Sequence, residues 1–143
     1  MFSNAQIMGQ IMSYIRFVAF ERPGANDASY GPFPLAYQNA RHRTQPLCFR
    51  RALRDQLDWF EDYLPVPDRF SHKLGRTSRG IGVCWFKPQA KTHIGRMREM
   101  CGILEEIGYP IDCYRADRPG LPIYQDAYQL VALDHKIQSR KAR

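Results

Sequence analysis

A short apolar run, Gly80-Ile-Gly-Val-Cys-Trp-Phe86, leads through Lys87 and Pro88 into a long stretch with helical periodicity that Gly108 closes. Ala90, Ile94, Met97, Cys101 and Leu104 recur at steps of four, three, four and three, with Met100 and Ile107 beside them. That spacing places them on one face of a helix. An apolar strand feeding directly into an amphipathic helix needs a sheet for the strand and a layer for the helix. Pro88 at the opening and Gly108 past the end match the asymmetry of helix termini and predict a helix over Pro88–Ile107. This unit constrains the fold strongly and the chemistry weakly.

The remaining chain is read around it. Tyr14-Ile-Arg-Phe-Val-Ala-Phe20 is rich in β-branched and aromatic residues and predicts a strand. Pro23-Gly24 through Pro32 is a turn-rich connector, and Pro34 to Ala40 can form a short helix. From Pro46 to Leu64 a longer helix is expected, because Leu53, Leu57, Phe60 and Leu64 share a face before Pro65 and Pro67 stop it. Asp68 to Arg79 is polar and basic and is expected to be a mobile loop. After the central unit, Ile111–Arg115 alternates like a strand and Asp117-Arg118-Pro119-Gly120 is a turn. Leu121–Leu133 is either one bent strand or a hairpin turning near Asp126-Ala127.

Together these predict one α+β domain over residues 13–133: a small mixed sheet of four to five strands with two or three helices on one face. Residues 1–12 are set apart as an N-terminal extension and 134–143 as a basic tail carrying Lys136, Arg140, Lys141 and Arg143. If the strands flanking the central helix are parallel, their crossover is right-handed.

At 143 residues the chain suffices for one core and not two. Cys48, Cys84, Cys101 and Cys113 show no C-x-x-C spacing and sit in apolar surroundings, so four buried thiols are expected and no zinc site. No run has the length of a membrane-spanning helix, and Met1 to Met12 lacks the features of a signal peptide. A cytoplasmic protein without cofactor or metal follows as the expectation.

The formal net charge of +7 favours acidic partners, although it also suits plain solubility. Arg50, Arg51 and Arg54 crowd the start of the Pro46–Leu64 helix while Asp55, Asp58, Glu61 and Asp62 follow, the reverse of what a helix dipole favours. One reading is an anion site at the helix start, which Arg41, His42 and Arg43 would enlarge; the plainer one is that pairs Arg51–Asp55 and Arg54–Asp58 offset the penalty. A second basic set is Arg69, His72, Lys73, Arg76 and Arg79, without a P-loop pattern. Aromatics beside these arginines could stack on bases, or could simply be core. For catalysis the candidates are His93 and Arg96, one helical turn apart; the plainer reading of His93 is a packed, hydrogen-bonded residue. No nucleophile-elbow, zincin or paired-carboxylate motif is present.

Trp59-Phe60, Leu64-Pro-Val-Pro-Asp-Arg-Phe70, Cys84-Trp-Phe-Lys87, His93-Ile94 with Arg96, Arg118-Pro-Gly120 and Tyr124-Gln-Asp-Ala-Tyr-Gln-Leu-Val-Ala132 follow one another in an order that resembles a family of small bacterial proteins without an established activity. The resemblance covers roughly Tyr14 to Leu133, most of one domain, and implies no catalytic residue. In that family an acidic Glu-Asp-Glu triplet precedes the last strand; here the residues are Gln125-Asp126-Ala127.

The expected function is therefore a non-catalytic binding or accessory protein, alone or within a larger assembly, whose basic surface engages nucleic acid or an acidic protein surface. Arg50, Arg51, Arg54, Arg69, Lys73, Arg76 and Arg79 are the expected contacts. The alternatives are a small enzyme acting on an anionic substrate with His93 as acid or base, and a protein-interaction subunit docking through Trp59 and Trp85.

Overall fold

The computed structural model describes residues 13–20, 31–67, 71–74 and 78–133, and for 71–74 and 78–81 the backbone course only. The elements run β1 (Tyr14–Ala19), α1 (Pro32–Arg41), α2 (Leu47–Tyr63), β2 (Ser71–Leu74), β3 (Ser78–Phe86), α3 (Lys91–Ile107), β4 (Ile111–Ala116), β5 (Leu121–Gln125) and β6 (Gln129–Leu133). The expected N-terminal extension and basic tail lie outside the described residues.

Five strands form a sheet in the order β4-β1-β3-β6-β5, and β2 pairs with β3 off that path. Every adjacent pair is antiparallel, in place of the mixed pairing expected. The parallel relation survives between strands that do not touch. β3 and β4 are each antiparallel to β1, which lies between them, so β3–α3–β4 is a split β-α-β unit.

The three helices share one face of this sheet. Ile15, Phe17 and Ala19 of β1 and Phe86 of β3 meet Leu35 and Ala36 of α1, Leu53, Leu57 and Phe60 of α2, and Ile94, Met97, Met100, Cys101 and Leu104 of α3. Burying a side chain such as Leu57 contributes about 2 kcal/mol, and Leu53, Leu57 and Leu104 are sealed from solvent. Trp85, Leu130 and Ala132 occupy the opposite face, as the pleat requires of residues one step from Phe86 and Val131. They are buried too.

Two further expectations change, and one open alternative is resolved. Helix α3 starts at Lys91, not Pro88. The Lys87 N–H is still held by the Tyr128 carbonyl at 2.9 Å, and the Ala90 N–H closes a turn onto the Lys87 carbonyl at 3.0 Å. Pro88 therefore shapes a tight turn at the strand's end, where its fixed φ is useful, and Ala90 becomes the cap. At the other end Gly108 adopts φ 129°, a value only glycine reaches without strain, so the stop stands where expected.

The loop expected over Asp68–Arg79 instead contains β2 and the first residues of β3, with Ser71–Leu74 laddered onto Ser78–Ile81. Residues 68–70 and 75–77 lie outside the described residues. Finally, Leu121–Leu133 is the hairpin rather than one bent strand.

Candidate functional site

The basic residues singled out in the sequence fall on two separate units. The first is the start of α2. Its cap, Pro46, offers no side-chain acceptor, and no acid lies in the first turn. Arg41 is exposed at the end of α1, His42 and Arg43 are exposed on the loop that follows it, and Arg51 is exposed on α2.

The arginine trio divides by use. Arg54 binds Asp58 through Nε at 2.9 Å and Glu61 through a terminal nitrogen at 2.7 Å, and its guanidinium lies over the Tyr37 ring. Tyr37 donates its hydroxyl to the same Glu61 oxygen. Arg54 is thus part of an α1–α2 clamp, and the Arg54–Asp58 pair is the i,i+4 contact that the plainer reading of this spacing anticipated. Arg50 donates Nε to the Gln45 carbonyl at 3.1 Å and so braces the loop before the helix. Arg51 makes no ion pair with Asp55 among the described residues. Of the three it is the one that faces outward.

The second unit is the ribbon made by β2 and the outer half of β3. Gly82–Phe86 of β3 belongs to the main sheet through β6, whereas Ser78–Ile81 pairs with β2. In this ladder Lys73 stands directly opposite Arg79, and His72 opposite Gly80. Folding has thus set two candidate residues from the same basic stretch against each other. Arg69 and Arg76 lie outside the described residues. From 69 to 79 the chain carries Arg69, Lys73, Arg76 and Arg79 and no acid.

The catalytic candidates occupy a different region, where the end of α2 meets the start of α3 and the β5–β6 turn. His93 is buried, 6% exposed. Its Nε2 lies 2.8 Å from the Tyr63 carbonyl oxygen. A carbonyl can only accept, so Nε2 carries the hydrogen and donates it, satisfying one of the carbonyls that the end of α2 leaves open. The ring stacks on Tyr128 with centroids 4.2 Å apart and meets the Trp59 ring edge-on at 4.8 Å. Arg96 points its guanidinium over Trp59, 5.1 Å from the ring centre. Both candidates are therefore engaged in packing α3 against α2. A shallow cleft of about 380 Å³ opens beside them, bordered by Asp62, Tyr63, Pro65, Val66 and Tyr128.

Beneath the cleft lies a polar network without a sequence signature. Gln129 is 1% exposed in an apolar strand. Its Nε2 donates to the Pro65 carbonyl at 2.7 Å and to Asp126 Oδ2 at 3.0 Å, and its Oε1 accepts from the Cys84 thiol. Asp126 also accepts from the Tyr124 hydroxyl and the Tyr128 and Gln129 N–H groups. Burial pulls its pKa up, but the donors led by the Tyr128 N–H outweigh that and hold it below the ordinary carboxylate value. The single carboxylate at the triplet position is thus the hub of the β5–β6 turn.

The cysteines are not uniformly buried. Cys101 is buried and Cys84 half-buried, whereas Cys48 and Cys113 are exposed, against the expectation of four core thiols. Cys48 sits at the solvent-facing start of α2 and Cys113 on an edge strand, positions where a local apolar pattern carries no information about depth. Burial first, then the charge of Asp126, pushes the Cys84 thiol up to about 12, and burial with Glu105 does the same for Cys101. Neither is a nucleophile at neutral pH. Trp85 is buried, whereas Trp59 is half-buried and packs against Phe60, Tyr63 and His93 at the margin of the core. Among the described residues no three His, Cys, Asp or Glu side chains gather as a metal site. No described helix is long and apolar enough to cross a membrane.

Comparison with protein-family models, with curated proteins and with solved structures finds no match for this chain.

Proposed function

We propose that the protein is a non-catalytic nucleic-acid-binding protein that engages its partner through the β2–β3 ribbon, with Arg51 and the loop before α2 as a second point of contact. The observation that carries this reading is the register of Lys73 against Arg79 in a ribbon that lies outside the five-strand sheet. Like charges directly opposite in a ladder are destabilising by roughly 0.2–1 kcal/mol. A polyanion removes that penalty and gains counterion release as well. A two-stranded ribbon also has the width that the major groove of duplex DNA admits. An acidic protein surface offers charge but neither the groove nor the regular phosphate spacing, so nucleic acid is the better fit.

Fluorescence anisotropy with a labelled DNA duplex across a salt series tests this. The logarithm of the affinity should fall linearly with that of salt. Replacing Lys73 and Arg79 together by alanine should flatten the slope by about 1.8, at about 0.9 for each phosphate no longer neutralised, with the melting temperature unchanged or raised. No binding at low salt, or a slope indifferent to the double substitution, defeats the reading.

A further inference from the structure

The two outer strands of the sheet are built differently. At one edge β5 carries Pro122 and a register irregularity between Pro122 and Tyr124, both devices that keep an edge from pairing with another chain. At the other, β4 runs six consecutive residues in unbroken register with β1, from Ile111 opposite Ala19 to Ala116 opposite Tyr14. It contains no proline or glycine, and Asp112 through Arg115 are all exposed. No described strand lies beyond it.

The phase of its backbone is fixed. The Phe20 N–H bonds the Pro110 carbonyl at 2.9 Å, which makes that pair a hydrogen-bonded one. Bonded and non-bonded pairs alternate along an antiparallel ladder. Asp112, Tyr114 and Ala116 therefore turn their backbone groups toward β1, and Ile111, Cys113 and Arg115 turn theirs outward. The open edge presents three donors and three acceptors at two-residue spacing.

We propose that this edge pairs with β4 of a second copy of the chain, antiparallel about a two-fold axis at Cys113. A two-fold axis normal to the sheet requires partner numbers to sum to an even value, so that opposed residues share a face. Centring on Cys113 pairs it with itself and Ile111 with Arg115, closing about six backbone bonds. Asp112 of one copy then faces Tyr114 of the other, whose neighbour on β1 is the cation Arg16, and no like charges are opposed. Centring on Arg115 would oppose two arginines, and centring on Asp112 two carboxylates. The charge pattern of the strand thus suits a second copy in this register and selects against those two alternatives. The inference does not depend on the nucleic-acid reading.

Sedimentation equilibrium over a concentration series, with the intact chain, reads the mass directly. Twice the chain mass is expected at high concentration. Cys113→Pro removes an outward N–H and leaves the β1–β4 bonds in place; Cys113→Lys opposes two cations at the axis. Both variants should stay at single-chain mass with wild-type circular dichroism. In the dimer the two Cys113 Cα atoms stand about 5.5 Å apart, within disulfide range. Mild oxidation with diamide should therefore crosslink the wild type and a Cys48→Ser variant and leave Cys113→Ser uncrosslinked. A chain that stays monomeric throughout, a dimer that survives both substitutions, or a crosslink that persists in Cys113→Ser overturns the proposal. So does an edge that remains monomeric and instead takes up an added extended peptide.

Discussion

Replacing His93 by alanine separates a packing role from a catalytic one. The substitution removes the hydrogen bond to the Tyr63 carbonyl, the stack on Tyr128 and the edge contact with Trp59. A net hydrogen bond is worth about 1 kcal/mol and each aromatic contact about 0.5–1.5, so the cost is about 3 kcal/mol. For a chain of this length that lowers the melting temperature by about 10 °C. Two further variants apportion the cost. His93→Phe keeps the ring contacts and orphans the Tyr63 carbonyl, and should recover about half of it. His93→Gln can restore a donor without the stack and should recover less. Thermal melts by circular dichroism, with chemical denaturation as a second measure, give the values. An unchanged melting temperature in His93→Ala would refute the assignment of this residue to the joint between α2, α3 and the β5–β6 turn.

Two other outcomes follow from the geometry. Asp126→Asn places an amide where Gln129 Nε2 and the Tyr124 hydroxyl already donate, and should cost about 1–3 kcal/mol at neutral pH. Its folded pKa is depressed relative to the unfolded chain. The carboxylate thus contributes stability above the unfolded value of about 3.9, which is lost as pH falls through the folded value. A pH series of unfolding free energies should show that acid-side decline in the wild type and a shallower one in the variant. With thiols at about 12, Cys84 and Cys101 should resist a thiol reagent at neutral pH until the protein unfolds, whereas in dilute solution Cys48 and Cys113 react at once. Rapid labelling of all four under native conditions would contradict the described burial.

Much of the scaffold is legible in the sequence because its signals are local. The stripe Leu53, Leu57, Phe60 is set by a period that tertiary contacts merely use, and all three are buried where the stripe predicts. Gly108 stops α3 through its own conformational freedom, and the turn near Asp126 separates two apolar runs of strand length. The α3 start is not legible, because Pro88 serves a helix's first turn and a tight turn equally well. A carbonyl from another segment, that of Tyr128, decides between them. The β2–β3 ribbon escapes sequence reasoning for a different reason. Ser-His-Lys-Leu has no apolar alternation, and its strand character comes from the ladder with β3.

The amino-acid order by itself determined the types of the elements with a strong local pattern, the faces that α2 and α3 bury and the reversed charge of α2, since these depend on spacing within one turn or one pleat. It also set the excess of arginine and lysine. What those charges meet was decided only by the tertiary structure. Folding consumed Arg54 in a clamp with Glu61 and Tyr37, left Arg51 outward, opposed Lys73 to Arg79, and drew His93 into an aromatic joint. It also placed β1 between β3 and β4, leaving one unguarded edge. Such outcomes depend on partners distant in the chain, and no local periodicity encodes them.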